Sequence, residues 1–229
     1  PAAKSVLLHM WERVKAFMVK AGTVIFVACV LVWFLKSFGW PDGGSAFGML
    51  DFEDPAQTDY SLLAKIGSFI APIFVPLGFG NWQGTVASIT GLVAKEDVVG
   101  TMGVLFGIGS DADAADPGMW TAMVALMPQV CSRMAFLAFN LLCAPCFAAI
   151  GAIRREMSSA KWTAFAITYQ CVFAYCVALM INQFGLLAAG SGFTLWSGIA
   201  IAVLGLMLFL LFRPAYKDHP VDHRVPVGA

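Results

Sequence analysis

Charge is scarce in this 229-residue chain: Asp, Glu, Lys and Arg make up 12% of it and cancel to a net charge of zero. A soluble domain carries about 25%. With no excess of either sign there is no basic field to hold nucleic acid. Histidine is nearly lacking too. His9, His219 and His223 fall in polar flanks and form no ligand set. No Gly-rich loop ending in Lys-Ser or Lys-Thr occurs, which excludes a phosphate-binding loop in this segment. The polar loops hold no cysteine, so the disulfide framework of a secreted domain is missing. The six cysteines (Cys29, Cys131, Cys143, Cys146, Cys171 and Cys176) all sit in apolar stretches and read as buried thiols. The start, PAAKSVLLHMWERVK, lacks the ordered basic, apolar and cleavage regions of a signal peptide and reads as the interior of a longer chain.

What the chain has instead is apolar length. It is 59% hydrophobic with a mean hydropathy of +0.78, the composition of an integral membrane protein. Ser5 to Lys20 repeats apolar residues at helical spacing among Lys4, Arg13, Lys15 and Lys20, the pattern of a basic helix lying on an anionic membrane face. Gly22 to Phe38 reads as a first span, with Trp40 at the interface. Gly39 to Tyr60 is acidic, turn-rich and free of Lys and Arg, which places it outside by the positive-inside rule. Ser61 to Val75 is apolar but short, carries Lys65, and meets Pro72 and Pro76, so it reads as a half-span or re-entrant helix. Thr85 to Ile108 follows, then the acidic loop Gly109 to Gly118. Met119 to Met127 is a short apolar piece stopped by Pro128. Val130 to Ala152, Trp162 to Leu187 and Leu195 to Phe212 read as full spans.

Arg154, Arg155, Lys161, Arg213, Lys217 and Arg224 put the corresponding ends in the cytoplasm, and both termini with them. An even number of crossings follows. Six full spans meet it, as do four spans with Ser61 to Ile108 as a re-entrant hairpin. The expected fold is therefore all-α: a polytopic integral membrane helical bundle with a broken or re-entrant hairpin and an N-terminal interfacial amphipathic helix. Residues 1–20 form that helix, 21–213 the transmembrane domain and 214–229 a cytoplasmic tail. Lipid surrounds such a domain, and nucleic acid is not a partner.

Two stretches could carry chemistry. The first, GLVAKEDVVG (Gly91 to Gly100), sets Lys95, Glu96 and Asp97 inside an otherwise apolar run, and charges at membrane depth cost a few kcal/mol each on insertion scales. On a regular helix three adjacent charges cannot face one cavity. Gly91, Gly100 and Gly103 would permit both a close approach of helices and a break, which would expose backbone to a transported ion. The second stretch is LLCAPCFAAIGAIRRE. Cys143 and Cys146 are three apart and share a helix face, Asn140 lies one turn earlier, and Pro145 removes the donor for the carbonyl of Leu141. A few ligands of mixed softness suit a borderline cation that must be released. Cys171 and Cys176, five apart, fall on different faces and read as packing. Met102, Met123 and Met127 read as gap fillers. Asn182 and Gln183 either line an entrance or cap a helix.

These motifs in order, KAGTVIFVACVLVWFL, IGSFIAPIFVPLGFGNWQGTVASITGLVAKEDVVGTMGVLFG and FLAFNLLCAPCFAAIGAIRREMSSAKWTAFAITYQ, closely resemble the C-terminal membrane part of the ferrous iron transport protein B family of the bacterial Feo system. The likeness runs from Lys4 to Phe212. It implies Fe(II) uptake across the bacterial inner membrane by a full-length protein with a cytosolic GTPase domain and a paired set of Gate segments, of which the GTPase domain and first Gate are not in this chain, so that the chain itself is a transporter fragment and not an enzyme. This chain corresponds to the second Gate. The family's Ala-Lys-Glu motif falls on Ala94, Lys95 and Glu96, and its Pro-Cys pair on Pro145 and Cys146. Asp97 stands where the family pattern usually has an apolar residue. The resemblance implies roles for Lys95, Glu96, Pro145 and Cys146, and prefers Cys146 to Cys143 as the thiol. Taken with the reading of the residues, the candidate metal contacts are Cys146, Glu96, Cys143 and Asn140, and the candidate pathway or gating residues are Lys95, Asp97, Pro145 and Gly91. The resemblance implies Fe2+ as cargo with no permanently bound cofactor. Small Feo accessory proteins and further copies of the chain are candidate partners. The rival readings are a nucleoside-type Gate transporter and a non-transporting membrane scaffold.

Overall fold

The computed structural model describes residues 3–40, 47–50, 59–93, 97–106, 108 and 115–213. Helix α1, Ala3–Ser37, runs without interruption through the stretch read as two units, an interfacial helix and a span. Gly22 stands near the expected junction, and one interior glycine costs only about 1 kcal/mol, too little to end a helix with apolar sequence on both sides. At 1.5 Å per residue α1 is about 52 Å long, more than the roughly 30 Å of hydrocarbon. After it, Phe38–Gly39 (β1) pairs antiparallel with Gly48–Met49 (β2). The Trp40 amide donates to the Tyr60 carbonyl at 3.2 Å, which brings the chain back beside its own exit point. The Lys65 amine lies 3.5 Å from the centre of the Trp40 ring, so a charge in an apolar helix meets a π face.

Ser61 caps helix α2, Leu62–Ile70, by accepting from the Ala64 amide at 3.0 Å. Pro72 and Pro76 then deny the chain regular α-helical bonding, and Ala71–Leu77 forms a 3-10 turn ended by Gly78 at φ 87°. Asn81 caps helix α3, Trp82–Val93, through the Gly84 amide at 2.7 Å. The segment 62–77 and the start of α3 meet at 94°, so this part is broken at its prolines and not a pair of straight spans. Helix α4 is Asp97–Leu105. Asp116 caps α5, Pro117–Leu126, with proline in the first turn where its missing N–H is harmless. Helix α6, Val130–Leu142, leaves α5 at 108°.

The expected single span over Val130 to Ala152 is not continuous. Helix α6 stops at Leu142, Cys143 and Cys146 are extended (ψ 166° and 159°), and α7, Phe147–Met157, starts afresh. The cause is Pro145, which lacks an N–H and disfavours helical backbone at the residue before it. A gap of four residues replaces the anticipated kink, and Cys143 and Cys146 do not share a helix face. Helices α8, Ala160–Ala188, and α9, Leu195–Phe212, are long and apolar enough to cross a membrane, and two bent helix pairs raise the number of candidate spans to four. A Schellman ending closes α8: the Ser191 amide bonds Leu186 and the Gly190 amide bonds Leu187.

The core sits between α6 and α8, which pack antiparallel with Cys131 against Gly185, Ser132 against Asn182 and Cys143 against Cys171. Ala135, Ala174 and Ala178 are completely buried, small residues that let the backbones approach. Phe74 and Phe79 of the hairpin stack into Phe136 and Phe139 of α6 with ring centres 5.3 to 5.9 Å apart, an arrangement that docks the hairpin on the bundle. Gly78 is held at the same contact. A Cβ there would strike the Ser132 hydroxyl and come within 2.6 Å of Asn182 Oδ1. Gly78→Ala is therefore expected to lower stability by about 2 kcal/mol or more, from left-handed strain and overpacking together. The midpoint of thermal unfolding of the full-length protein in detergent reads it, and an unchanged midpoint would contradict this docking.

Candidate functional site

Proline breaks leave backbone carbonyls without helical donors, and side chains from elsewhere supply them. In a 3-10 turn Pro76 would have to donate to the carbonyl of Ile73, and it has no N–H. The Tyr175 hydroxyl donates there instead, at 2.8 Å. The carbonyl of Pro76 accepts two bonds, from Asn182 Nδ2 at 3.0 Å and from Gln183 Nε2 at 2.7 Å. Asn182 Oδ1 in turn accepts from the Ser132 hydroxyl at 3.0 Å, and Gln183 Oε1 from the hydroxyls of Thr194 and Ser197 at 3.3 Å each. Ser132, Asn182, Gln183 and Ser197 are buried. One network thus ties the hairpin tip to α6, α8 and the first turn of α9.

The α5–α6 bend is served similarly. Arg133 Nη1 donates to the carbonyls of Met127 at 2.8 Å and Pro128 at 3.2 Å, a cation placed on the negative end of α5. Between α4, α5 and α6 lies a cavity of about 100 Å³ lined by apolar side chains that include Met102, Met119 and Met123. Met102, Met123 and Met127 are buried core residues.

Of the eight residues singled out from the sequence, six are among the described residues. Gly91 is buried in α3, where an added Cβ would lie 3.2 Å from Asn140 Oδ1 and 2.9 Å from Val98 Cγ2. Asn140 Nδ2 donates to the Phe136 carbonyl at 2.8 Å and reaches Ser88 Oγ at 3.4 Å. The structure therefore brings Gly91 and Asn140 together, the close approach for which a glycine was expected. Cys143, Pro145 and Cys146 lie in the 143–146 break. Helix α7, which follows that break, packs against α8, α1 and α3. The Cys143 thiol faces Cys171 at 3.8 Å. Of the five cysteines with described side chains, Cys143 alone is buried and Cys131, Cys146, Cys171 and Cys176 are half-buried, so the expectation of uniformly buried thiols is corrected. Lys95 and Glu96 lie outside the described residues, between the end of α3 and the start of α4, and Asp97 is described only as the first residue of α4. Among the described residues no three His, Cys, Asp or Glu side chains converge on one point.

Residue-by-residue reading passed over Ser132, Arg133 and Tyr175, and left Asn182 and Gln183 undecided between two roles. A signal existed: adjacent amides inside an apolar span need partners, and APIFVPLG contains carbonyls that lack donors.

Apolar spans, helices broken at proline and carbonyls held by side chains inside the bundle together define an all-α membrane protein with broken helices in its core. Residues 18–160 match the Gate family, described as nucleoside recognition, and the chain belongs to that family. It is 38% identical over 185 residues to the Fe(2+) transporter FeoB of Methanocaldococcus jannaschii, covering 81% of this chain and 26% of that protein. To the Fe(2+) transporter FeoB of Staphylococcus aureus strain MSSA476 it is 34% identical over 185 residues, covering 81% of this chain and 25% of that protein. A Porphyromonas gingivalis Fe(2+) transport protein A/Fe(2+) transporter FeoB fusion protein is 28% identical over 226 residues, 82% of this chain and 26% of that protein. These relatives bear out the resemblance to the ferrous iron transport protein B family. The chain spans about a quarter of the length of the curated relatives it matches. No solved structure matches it.

The tip network makes its own prediction. Asn182→Leu and Gln183→Leu should each lower stability by about 1–3 kcal/mol, and the double variant by more, because Pro76 then keeps no side-chain donor. Thermal unfolding of the full-length variants checks this. A double variant that melts with the wild type would remove the network from any structural role.

Proposed function

We propose that this chain is the membrane-embedded second Gate part of a bacterial ferrous iron transporter that brings Fe2+ across the inner membrane. The observation that carries the reading is 34–38% identity, over 81% of the chain, to proteins named Fe(2+) transporter FeoB. The broken helices are the physical counterpart, since such breaks present backbone and side-chain ligands at membrane depth.

The path is assigned to Glu96, Asn140, Cys143 and Cys146, with Lys95, Asp97, Pro145 and Gly91 bordering or gating it. Fe2+ sheds part of its water, meets a hard carboxylate oxygen at Glu96 and a softer sulfur at Cys146, and moves between them because neither alone holds it tightly. The contact between Gly91 and Asn140 supports one continuous wall, since it sets α6 against the end of α3 three residues before Ala94. The part is a transporter and not an enzyme. Fe2+ is its cargo and no cofactor stays bound. The chain is multi-pass, with both termini in the cytoplasm, residues up to 20 supplying the basic first half of α1 and 214–229 the tail. The GTPase domain and first Gate belong to the remainder of the protein. The fusion relative supports a Feo accessory protein as partner. Further copies of the chain are a second candidate partner. A nucleoside-type Gate transporter is the alternative reading, favoured by the family description.

Cells carrying the full-length protein with Cys146→Ser or Glu96→Ala should take up radioactive iron at least tenfold more slowly than the wild type. Unchanged uptake in both would sink the assignment. Competition by nucleosides, with no dependence on metal, would select the alternative.

A further inference from the structure

Arg154 and Arg155, in the last turn of α7, and Lys161, in the first turn of α8, are exposed, and among the described residues no carboxylate forms an ion pair with them. With Glu156 counted against them, the three cations leave a local excess of two positive charges. Only Ser158 and Ser159 separate the two helices, and Ser158 takes a left-handed conformation at φ 50° that folds the chain back there. The cations therefore gather at one end of the α7–α8 pair. From that end an aromatic ladder runs along α8. Trp162, Phe165, Tyr169 and Phe173 follow one another at helical spacing, with ring centres 5.9, 6.3 and 6.3 Å apart. Trp162, Phe165 and Tyr169 are 61–63% exposed, while Ala174 and Ala178 on a different face of the helix are fully buried. At 1.5 Å per residue the ladder is about 16 Å long, half of the roughly 30 Å of hydrocarbon. An interfacial belt needs rings only at the headgroup level, so a belt does not explain rings at this depth.

We propose that this end of the bundle binds an anionic phospholipid, its phosphate held by Arg154, Arg155 and Lys161 and an acyl chain laid along Trp162, Phe165, Tyr169 and Phe173. Charge selects the occupant. A protein segment covering the ladder would need acidic groups where the three cations stand, whereas one phospholipid supplies phosphate and hydrocarbon together in that order. The guanidinium fork takes two phosphate oxygens at once, and each cation near an anionic headgroup strengthens binding about fivefold. Aromatic side chains on a helix lean toward its N-terminus, which carries the Tyr169 hydroxyl back toward the level of the lipid ester carbonyls, acceptors for its proton. The lipid touches neither Cys143 nor Cys146, because Arg154 and Arg155 lie at the far end of α7 from that break. The site rests on the membrane character of the chain and not on the transport reading.

Photolabelling tests it. The full-length protein in phosphatidylcholine nanodiscs receives a trace of phosphatidylglycerol, or of phosphatidylcholine as the control, with a diazirine in the acyl chain, and the labelled residues are mapped by mass spectrometry. The phosphatidylglycerol probe should label residues 162–173 of the wild type more than the phosphatidylcholine probe does, by about fivefold or more. Arg154→Gln combined with Lys161→Gln should abolish that preference and leave labelling by phosphatidylcholine unchanged. Excess inorganic phosphate should not displace the probe. Equal labelling by the two probes in the wild type would mean an ordinary lipid annulus and would overturn the proposal, a comparison that stands whether or not the variant folds. So would a preference that survives the double substitution, displacement by inorganic phosphate, or no label on 162–173, as when a protein partner covers the ladder. Iron uptake is read separately: a labelled site without uptake removes the transport reading and leaves the lipid site, and uptake without the preference does the reverse.

Discussion

The carbonyl oxygen of Pro76 accepts hydrogen bonds from Asn182 and Gln183, and most of the fold around the hairpin follows from that pair of bonds. Backbone in hydrocarbon must be satisfied within the protein, and a lipid-facing break is not tolerated. A segment with prolines at 72 and 76 cannot satisfy itself, so it has to lie against helices that bring donors. Asn182, Gln183 and Tyr175 all stand on α8, which is why that helix runs beside the hairpin. The hydroxyls of Ser132, Thr194 and Ser197 then occupy the remaining acceptor atoms of the two amides, so the network closes without an unpaired buried atom among the described residues.

The same constraint sorts the other breaks. At the α5–α6 bend a guanidinium serves two carbonyls, and a cation there also opposes the helix dipole. At residues 143–146 the chain is extended and carries two thiols, one of which meets Cys171. Asn182, Gln183 and Arg133 hold the backbone at these breaks, and the proposed ion path runs past the one that carries Cys146.

Much of this was legible in the residues. The apolar spans, the prolines that break 61–78 and the contact made by Gly91 follow from composition, missing N–H groups and the absence of a Cβ. The motifs also point to the right family. What stayed hidden is of one physical kind: the partner of each polar group lies far along the chain. Asn182 and Pro76 are separated by 106 residues, and no helical periodicity reveals their meeting. Cys171 was weighed against Cys176 on its own helix, whereas its neighbour is on α6. The break at Cys143 was underestimated because Pro145 was given only a lost bond, while its restriction of the preceding residue ends the helix altogether. The continuous α1 shows the reverse case, in which a change of surface character from basic to apolar does not require a change of backbone. Lys95 and Glu96, the most conspicuous charges in the sequence, fall outside the described residues, so their weight rests on the rarity of charge in apolar spans and on the family motif.

The central claim is that Fe2+ passes between the stretch around Glu96 and the break that carries Cys146. Anomalous X-ray scattering at the iron edge, from crystals of the full-length protein grown anaerobically with Fe2+, tests it most directly. The account predicts an iron peak within bonding distance of Cys146 or Glu96, beside Asn140. A peak confined to other parts of the bundle, or none in crystals shown to contain iron, would contradict it.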